Sequence, residues 1–291
     1  MQKPRRRVIA LAAILIYGAA AAQTSEVVSR GEYILRISGC GHCHTVEDGD
    51  ALGGGLPLET PFGTFYTPNI TAHETEGIGA WSEQDFERAV RHGLAPDGSS
   101  YFPSFPYTSY TRMRVDDVRA LRTYLLSLPP SAQPNREHDL PWYLNWRLAA
   151  TVWQWLFFEP GEFREHPDQP AGWNRGAYIA EALGHCGECH TPRNLMGALN
   201  MDRAYAGNPD GPDDQKVSNI TPHPRAGIGK WSRDELVNFL QFGERPDGEY
   251  TAGSMDLVVQ GLNQSTTEDR EALADFLRAL PPIGEGPAGE Q

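Results

Sequence analysis

Cysteine is scarce in this chain: four residues in 291. None sits at the end of the apolar leader, which excludes a lipid-modified N-terminus. Basic residues are outnumbered, with 25 Lys and Arg against 38 Asp and Glu. That deficit argues against nucleic acid or anionic lipid as a partner. Long apolar runs are missing too. Val8 to Ala22 is uncharged over 15 residues, short of the ~20 that a membrane helix needs. Methionine is rare, at five, so each one can be weighed singly.

The four cysteines fall into two copies of one pattern, Cys40-Gly41-His42-Cys43-His44 and Cys186-Gly187-Glu188-Cys189-His190. C-x-x-C-H is the attachment signature of c-type haem. Its two thiols add across the haem vinyl groups, and the adjacent histidine becomes the proximal iron ligand. Zinc and thiol redox sites also use C-x-x-C, and exported proteins form disulfides. None of these readings explains a histidine directly after the second cysteine in both copies. The pattern therefore implies two covalently bound haem c groups, held by Cys40, Cys43, Cys186 and Cys189, with His44 and His190 as axial ligands.

The leader supports this reading. Lys3, Arg5, Arg6 and Arg7 precede the apolar run, and Ala20-Ala21-Ala22 offers a cleavage site. Residues 1–22 read as a signal peptide, with an uncleaved N-terminal anchor as the alternative. Export to the periplasm follows, where c-type haem is attached. Removal of the leader leaves 21 basic against 38 acidic residues, a surface suited to a positively charged redox partner or simply to solubility.

The chain repeats itself. Arg30-Gly31-Glu32-Tyr33-Ile34 returns as Arg175-Gly176-Ala177-Tyr178-Ile179, and Asn69-Ile70-Thr71 as Asn219-Ile220-Thr221. Gly77 to Ser82 returns as Gly227 to Ser232, Pro96-Asp97-Gly98 as Pro246-Asp247-Gly248, and Leu128-Pro129-Pro130 as Leu280-Pro281-Pro282. Within each repeat the periodicity is helical. Ser82 with Asp85 and Ser232 with Glu235 predict capping boxes. Leu121, Leu125 and Leu128, matched by Leu273, Leu277 and Leu280, stripe a last helix that Pro129 or Pro281 stops. Gly31 and Gly176 predict close helix crossings against Tyr124 and Phe276. The expected organisation is a signal peptide over 1–22, a first domain over 23–132, an aromatic interdomain linker over 133–171, a second domain over 172–284 and a polar tail over 285–291. The linker region, with Trp173, holds five of the seven tryptophans. It reads as a clamp across both domains or as a docking surface.

An electron carrier needs a sixth ligand on each iron, usually methionine in cytochromes c. Met196 and Met201 follow His190 too closely to reach its far face. Met113 and Met255 stand 69 and 65 residues after their histidines and ahead of the last helix, so they are the expected sixth ligands. His73 and His223 also repeat, and are read as structural or propionate-contacting. His42, His92, His138, His166 and His185 have no counterpart and are read as surface or core residues. Arg193 is read as either a propionate partner or an exposed arginine. The carbonyl that orients each proximal histidine is expected from the Gly53 to Leu58 loop and its counterpart near Ala206.

Longer stretches carry a family resemblance: Thr60-Pro61-Phe62-Gly63-Thr64-Phe65-Tyr66-Thr67-Pro68-Asn69-Ile70-Thr71, Phe105 to Met113, Trp173 to Tyr178 and Gly184 to Asn194. In these the chain resembles the cytochrome c subunits of periplasm-facing alcohol, gluconate, aldehyde or nicotinate-type dehydrogenases. The resemblance implies an all-α protein of two tandem class I cytochrome c domains. It implies a catalytic subunit as electron donor and a terminal oxidase, quinone or another cytochrome as acceptor. Many members carry three haem domains, some with a membrane segment. Two haems and a polar tail favour a soluble or peripherally membrane-associated carrier. The alternative is a dihaem enzyme, peroxidase-like or acting on a small substrate, in which one axial ligand is displaceable.

Overall fold

A computed structural model describes residues 23–144, 147–212 and 215–284. The leader, the polar tail from residue 285, and linker residues Asn145 and Trp146 lie outside the described residues. The fold is mostly helical. Helix α1 covers residues 23–37, and the first C-x-x-C-H forms a single turn, α2 (Cys40–His44). Then come α3 (Glu83–His92), α4 (Tyr107–Tyr110) and α5 (Val115–Ser127). Helix α6 (Arg147–Phe157) belongs to the aromatic segment. The second repeat contains α7 (Ala171–Tyr178), α8 (Cys186–His190), α9 (Arg233–Phe242), α10 (Ser254–Asn263) and α11 (Thr267–Ala279).

The predicted capping boxes both form: Ser82 with Asp85 opens α3, and Ser232 with Glu235 opens α9. The leucine stripes are inside, with Leu121, Leu125, Leu273 and Leu277 buried. Helices α5 and α11 end two residues before their prolines. A two-stranded hairpin departs from the all-α expectation: β1 (Pro57–Thr60) pairs with β2 (Gly63–Tyr66). Pro61 and Phe62 make its two-residue loop, and Gly63 takes a φ of 120° there. Helical periodicity is blind to so short a turn, whose β-branched and aromatic flanks favour pairing.

One insertion is visible in the backbone. The repeats run 145 residues apart at Tyr33 and Tyr178 but 146 apart at Cys40 and Cys186. The extra residue is absorbed as a π turn over Ile179–Leu183, where the Gly184 N–H bonds the Ile179 carbonyl at 2.7 Å. A π-bulge is the usual signature of a single residue inserted into a helix.

The helix crossings are as tight as the glycines foretold. A Cβ at Gly31 would strike the Ala120 carbonyl and approach the Tyr124 Cβ to 2.6 Å. At Gly176 it would strike the Ala272 carbonyl and approach the Phe276 Cβ to 2.8 Å. Each repeat therefore packs its first helix directly onto the backbone of its last.

The two repeats are locked together by an exchange of equivalent groups. The Tyr33 hydroxyl of α1 donates to Asp269 of α11 and accepts the Thr266 N–H at 3.2 Å. The Tyr178 hydroxyl of α7 donates to Asp117 of α5 and accepts the Arg114 N–H at 3.1 Å. Each aspartate is also paired within its own repeat, Asp117 by Arg30 and Asp269 by Arg175. Burial opposes ionisation of Asp269, but hydrogen bonds from Arg175 and Tyr33 outweigh it and hold the carboxyl below its ordinary value.

Two outcomes follow from this packing. Gly176→Ala should destabilise the fold by about 1–3 kcal/mol, because the obstruction is backbone rather than a flexible side chain; chemical denaturation measures it. The Asp269 contribution is complete above the ordinary aspartate pKa of about 3.9 and is lost as pH falls through the lower folded value. Asp269→Asn should cost about 1–2 kcal/mol at pH 7, allowing for screening at partly exposed Arg175. The difference from wild type should shrink as acid is added.

Candidate functional site

Each C-x-x-C-H turn begins at a residue in the left-handed conformation, Gly39 (φ 65°) or His185 (φ 37°). Helix α1 or the π turn ends there, and the reversal starts the motif turn. No disulfide joins any of the four cysteines. Among the described residues no three His, Cys, Asp or Glu side chains converge as metal ligands, so a pooled zinc site has no geometry. Burial pushes the Cys40 and Cys186 thiols up to about 12. Redox-active C-x-x-C pairs need the opposite, a thiol pKa well below normal.

The proximal histidines are held in matching ways. His44 Nδ1 lies 2.7 Å from the Pro68 carbonyl, and His190 Nδ1 lies 2.7 Å from the Ser218 carbonyl. This places the proton on Nδ1 and leaves Nε2 as the free lone pair that an iron would take. Burial pulls both imidazoles below their ordinary pKa, against a smaller upward pull from the carbonyls, which keeps them neutral. The residues present therefore fit a covalently attached haem in each repeat: two thiols on one turn, then an imidazole with the correct tautomer.

The orienting carbonyls come from residues 68 and 218, not from the Gly53 to Leu58 loop or the Ala206 region. Those loops act one step earlier. The Gly54 N–H bonds the His44 carbonyl, and the Gly207 N–H bonds the His190 carbonyl, both at 2.8 Å. Gly54 (φ 75°) lies so close to Pro68 that no side chain fits. The glycine loop thus presses the Pro68 carbonyl toward the histidine, a folded-chain contact that no local pattern encodes.

Met113 and Met255 are placed differently. Met255 is the second residue of α10 and half-buried. Met113 is 1% exposed, between α4 and α5, with its neighbour Arg114 bonded to Tyr178 across the seam. His73 and His223 are turn organisers, their Nδ1 atoms accepting the Glu76 and Ala226 N–H groups at 3.1 and 3.0 Å. Arg193 pairs with Glu188 at 2.7 Å.

Sequence reasoning passed over Glu188 in the second motif and read His185, beside that motif, only as a surface or core residue. Glu188, between its cysteines, is buried and accepts hydrogen bonds from Thr108, Ser109 and Arg193. His185 packs edge-on to Tyr110, with ring centroids 5.4 Å apart. Tyr110 in turn donates to the Ser38 carbonyl beside the first motif, at 3.2 Å. Single side chains therefore bridge the two attachment turns. A hint was available: Glu188 and His185 replace the His42 and Gly39 of the first motif.

Two C-x-x-C-H turns, each ending in an oriented imidazole on a mostly helical fold, are the features of a haem-carrying electron-transfer protein. A family profile for cytochrome c matches residues 28–129. A protein described as "Diheme cytochrome c-type" from Cereibacter sphaeroides is 41% identical over 260 residues, spanning 88% of this chain and 86% of that protein. The gluconate 2-dehydrogenase cytochrome c subunit of Pantoea cypripedii is 38% identical, over 87% of this chain and 59% of that one. The cytochrome c subunit of the quinone alcohol dehydrogenase of Gluconacetobacter polyoxogenes is 36% identical, over 92% and 60%. The chain belongs to the cytochrome c family, and several of its relatives are cytochrome subunits of dehydrogenases. It spans about 60% of the gluconate and alcohol dehydrogenase subunits.

Glu188→Ala should unpick the seam at the attachment turns. Loss of a buried, multiply bonded carboxylate should cost about 1–3 kcal/mol. Calorimetry should show a lower and broader unfolding transition, with haem attachment unchanged.

Proposed function

We propose that the chain is a dihaem electron carrier of the periplasm that takes single electrons from a dehydrogenase catalytic subunit and passes them to a respiratory acceptor. The observation that carries this reading is the bridging of the two attachment turns by Tyr110, His185 and Glu188. Contiguous packing between the motifs provides a short through-protein route from one haem to the other. Cys40, Cys43 and His44 hold the first haem; Cys186, Cys189 and His190 hold the second, with Met255 as its sixth ligand. The haem supplies reversible one-electron chemistry. The chain's share is to fix each histidine's tautomer through Pro68 or Ser218 and to exclude solvent from both faces.

A docking face accompanies this role. Helix α6 turns Ala150 inward, and Trp153 donates to the Met196 carbonyl of the second repeat at 2.8 Å. Gln154 ties it to His92 of the first repeat at 2.7 Å. Its other side exposes Leu148, Val152 and Trp155, beside exposed Trp142 and Tyr143. Exposed aromatic and aliphatic groups gathered on one helix suit a protein interface, and the catalytic subunit is the occupant we assign. Among the described residues no helix is long and apolar enough to cross a membrane.

The test is direct. The matured protein should keep its pigment after denaturation in acidified acetone, with a mass exceeding the bare polypeptide by two haems. A redox titration should resolve two one-electron steps. Loss of the pigment, or a single step with one haem's mass, would overturn the proposal.

A further inference from the structure

The two repeats can be aligned through their backbones ahead of the last helix. In the first, a turn closes by Leu94 pairing with Ser100, and the Tyr101 N–H bonds the Gly93 carbonyl at 2.7 Å. In the second, Glu244 pairs with Tyr250, and the Thr251 N–H bonds the Gly243 carbonyl at 2.9 Å. Every one of these pairs is 150 residues apart. Counting on four residues from Tyr101 and Thr251 sets Phe105 opposite Met255.

By the last helix the register has changed. Helices α5 and α11 begin at Val115 and Thr267, 152 residues apart. Two residues have therefore been added between Thr251 and Thr267. Met113 then falls opposite Ser265. Each bonds back three residues, Met113 to Tyr110 at 2.9 Å and Ser265 to Leu262 at 3.0 Å. Each precedes an N-cap residue, Arg114 or Thr266, whose N–H goes to the tyrosine of the other repeat. Ser265 belongs to the seam, not to a haem, and Met113 shares its place. Its near-complete burial agrees, since it packs within the apolar core rather than lining a cofactor surface.

Phe105 has the surroundings that a residue facing the first haem should have. It is half-buried, and its ring lies against Tyr110 at 5.7 Å between centroids and against Tyr101 at 5.9 Å. Tyr110 reaches the Ser38 carbonyl, two residues before Cys40. A phenyl ring has no lone pair to give a metal. We propose that Phe105 stands in the first repeat where Met255 stands in the second, so that the first iron has His44 as its only protein ligand. Its far face, lined by aromatic carbon, takes small neutral π-acceptor molecules such as carbon monoxide.

This deepens the proposed function and rests on its haem reading. It also gives the two irons different work. A haem closed by Met255 is held at high potential by thioether ligation. A haem without a thioether lies lower and is open to exogenous ligands.

The experiment is carbon monoxide titration of the reduced, matured protein, followed optically, together with the red-edge methionine-to-iron band of the oxidised form. Wild type should bind about one carbon monoxide for every two haems and show a single haem's worth of the band. Phe105→Met should abolish uptake and roughly double the band. Met113→Leu, a volume-conserving change, should alter neither. Met255→Ala should raise uptake to about two and remove the band. If wild type refuses carbon monoxide and shows two methionine bands, or if Met113→Leu opens a new binding site, the inference falls while the dihaem reading stands. A matured chain without covalent haem would instead overturn the function on which the inference rests.

Discussion

The molecule depends on a reciprocal hydrogen bond. Tyr33 of the first repeat donates to Asp269 of the second, and Tyr178 of the second donates to Asp117 of the first. Each aspartate is charge-paired with an arginine one helical turn before its own repeat's tyrosine. The residues involved are duplicated, so a single arrangement serves twice about an approximate two-fold relation. A buried aspartate carboxylate is costly unless fully partnered. Here it accepts from a guanidinium and a phenol together, which makes separation of the repeats expensive and fixes their relative position.

That position decides the site. With α1 and α7 held against the opposite repeat's last helix, the turns that follow them face one another. Ser38, Tyr110, His185 and Glu188 then span the gap between the motifs. Neither motif has this on its own. The left-handed residue before each motif, Gly39 or His185, is what turns the chain sharply enough to bring the cysteines to the seam. In the second repeat a histidine accepts that conformation, and its ring gains a partner in Tyr110. The proposed carrier needs two cofactors close and rigidly related, and the seam holds the two motifs in that way.

Duplication also shows how the repeats have diverged. One inserted residue became a π turn before the second motif, and two more lengthened the segment ahead of α11. Both insertions leave the tyrosine–aspartate exchange intact. What they change lies ahead of the last helix, where in the proposed register Met255 and Phe105 share a position and differ in what they can offer a metal. Counting from histidine to methionine pairs Met113 with Met255 because both precede a last helix; the register we propose pairs Met255 with Phe105 instead.

The amino-acid order alone determined the covalent chemistry, the duplication and the local helix signals. Cys-x-x-Cys-His, the Ser82 and Ser232 caps, the leucine stripes and the glycines at 31 and 176 act through neighbours within one or two turns, or through a contact that only a missing side chain permits. Such features are readable because their partners are near in sequence or implied by size. Only the tertiary structure decided which carbonyls orient His44 and His190, and that Glu188 and His185 join the repeats. Those contacts are made between segments distant in sequence, and their register is set by packing that periodicity does not record.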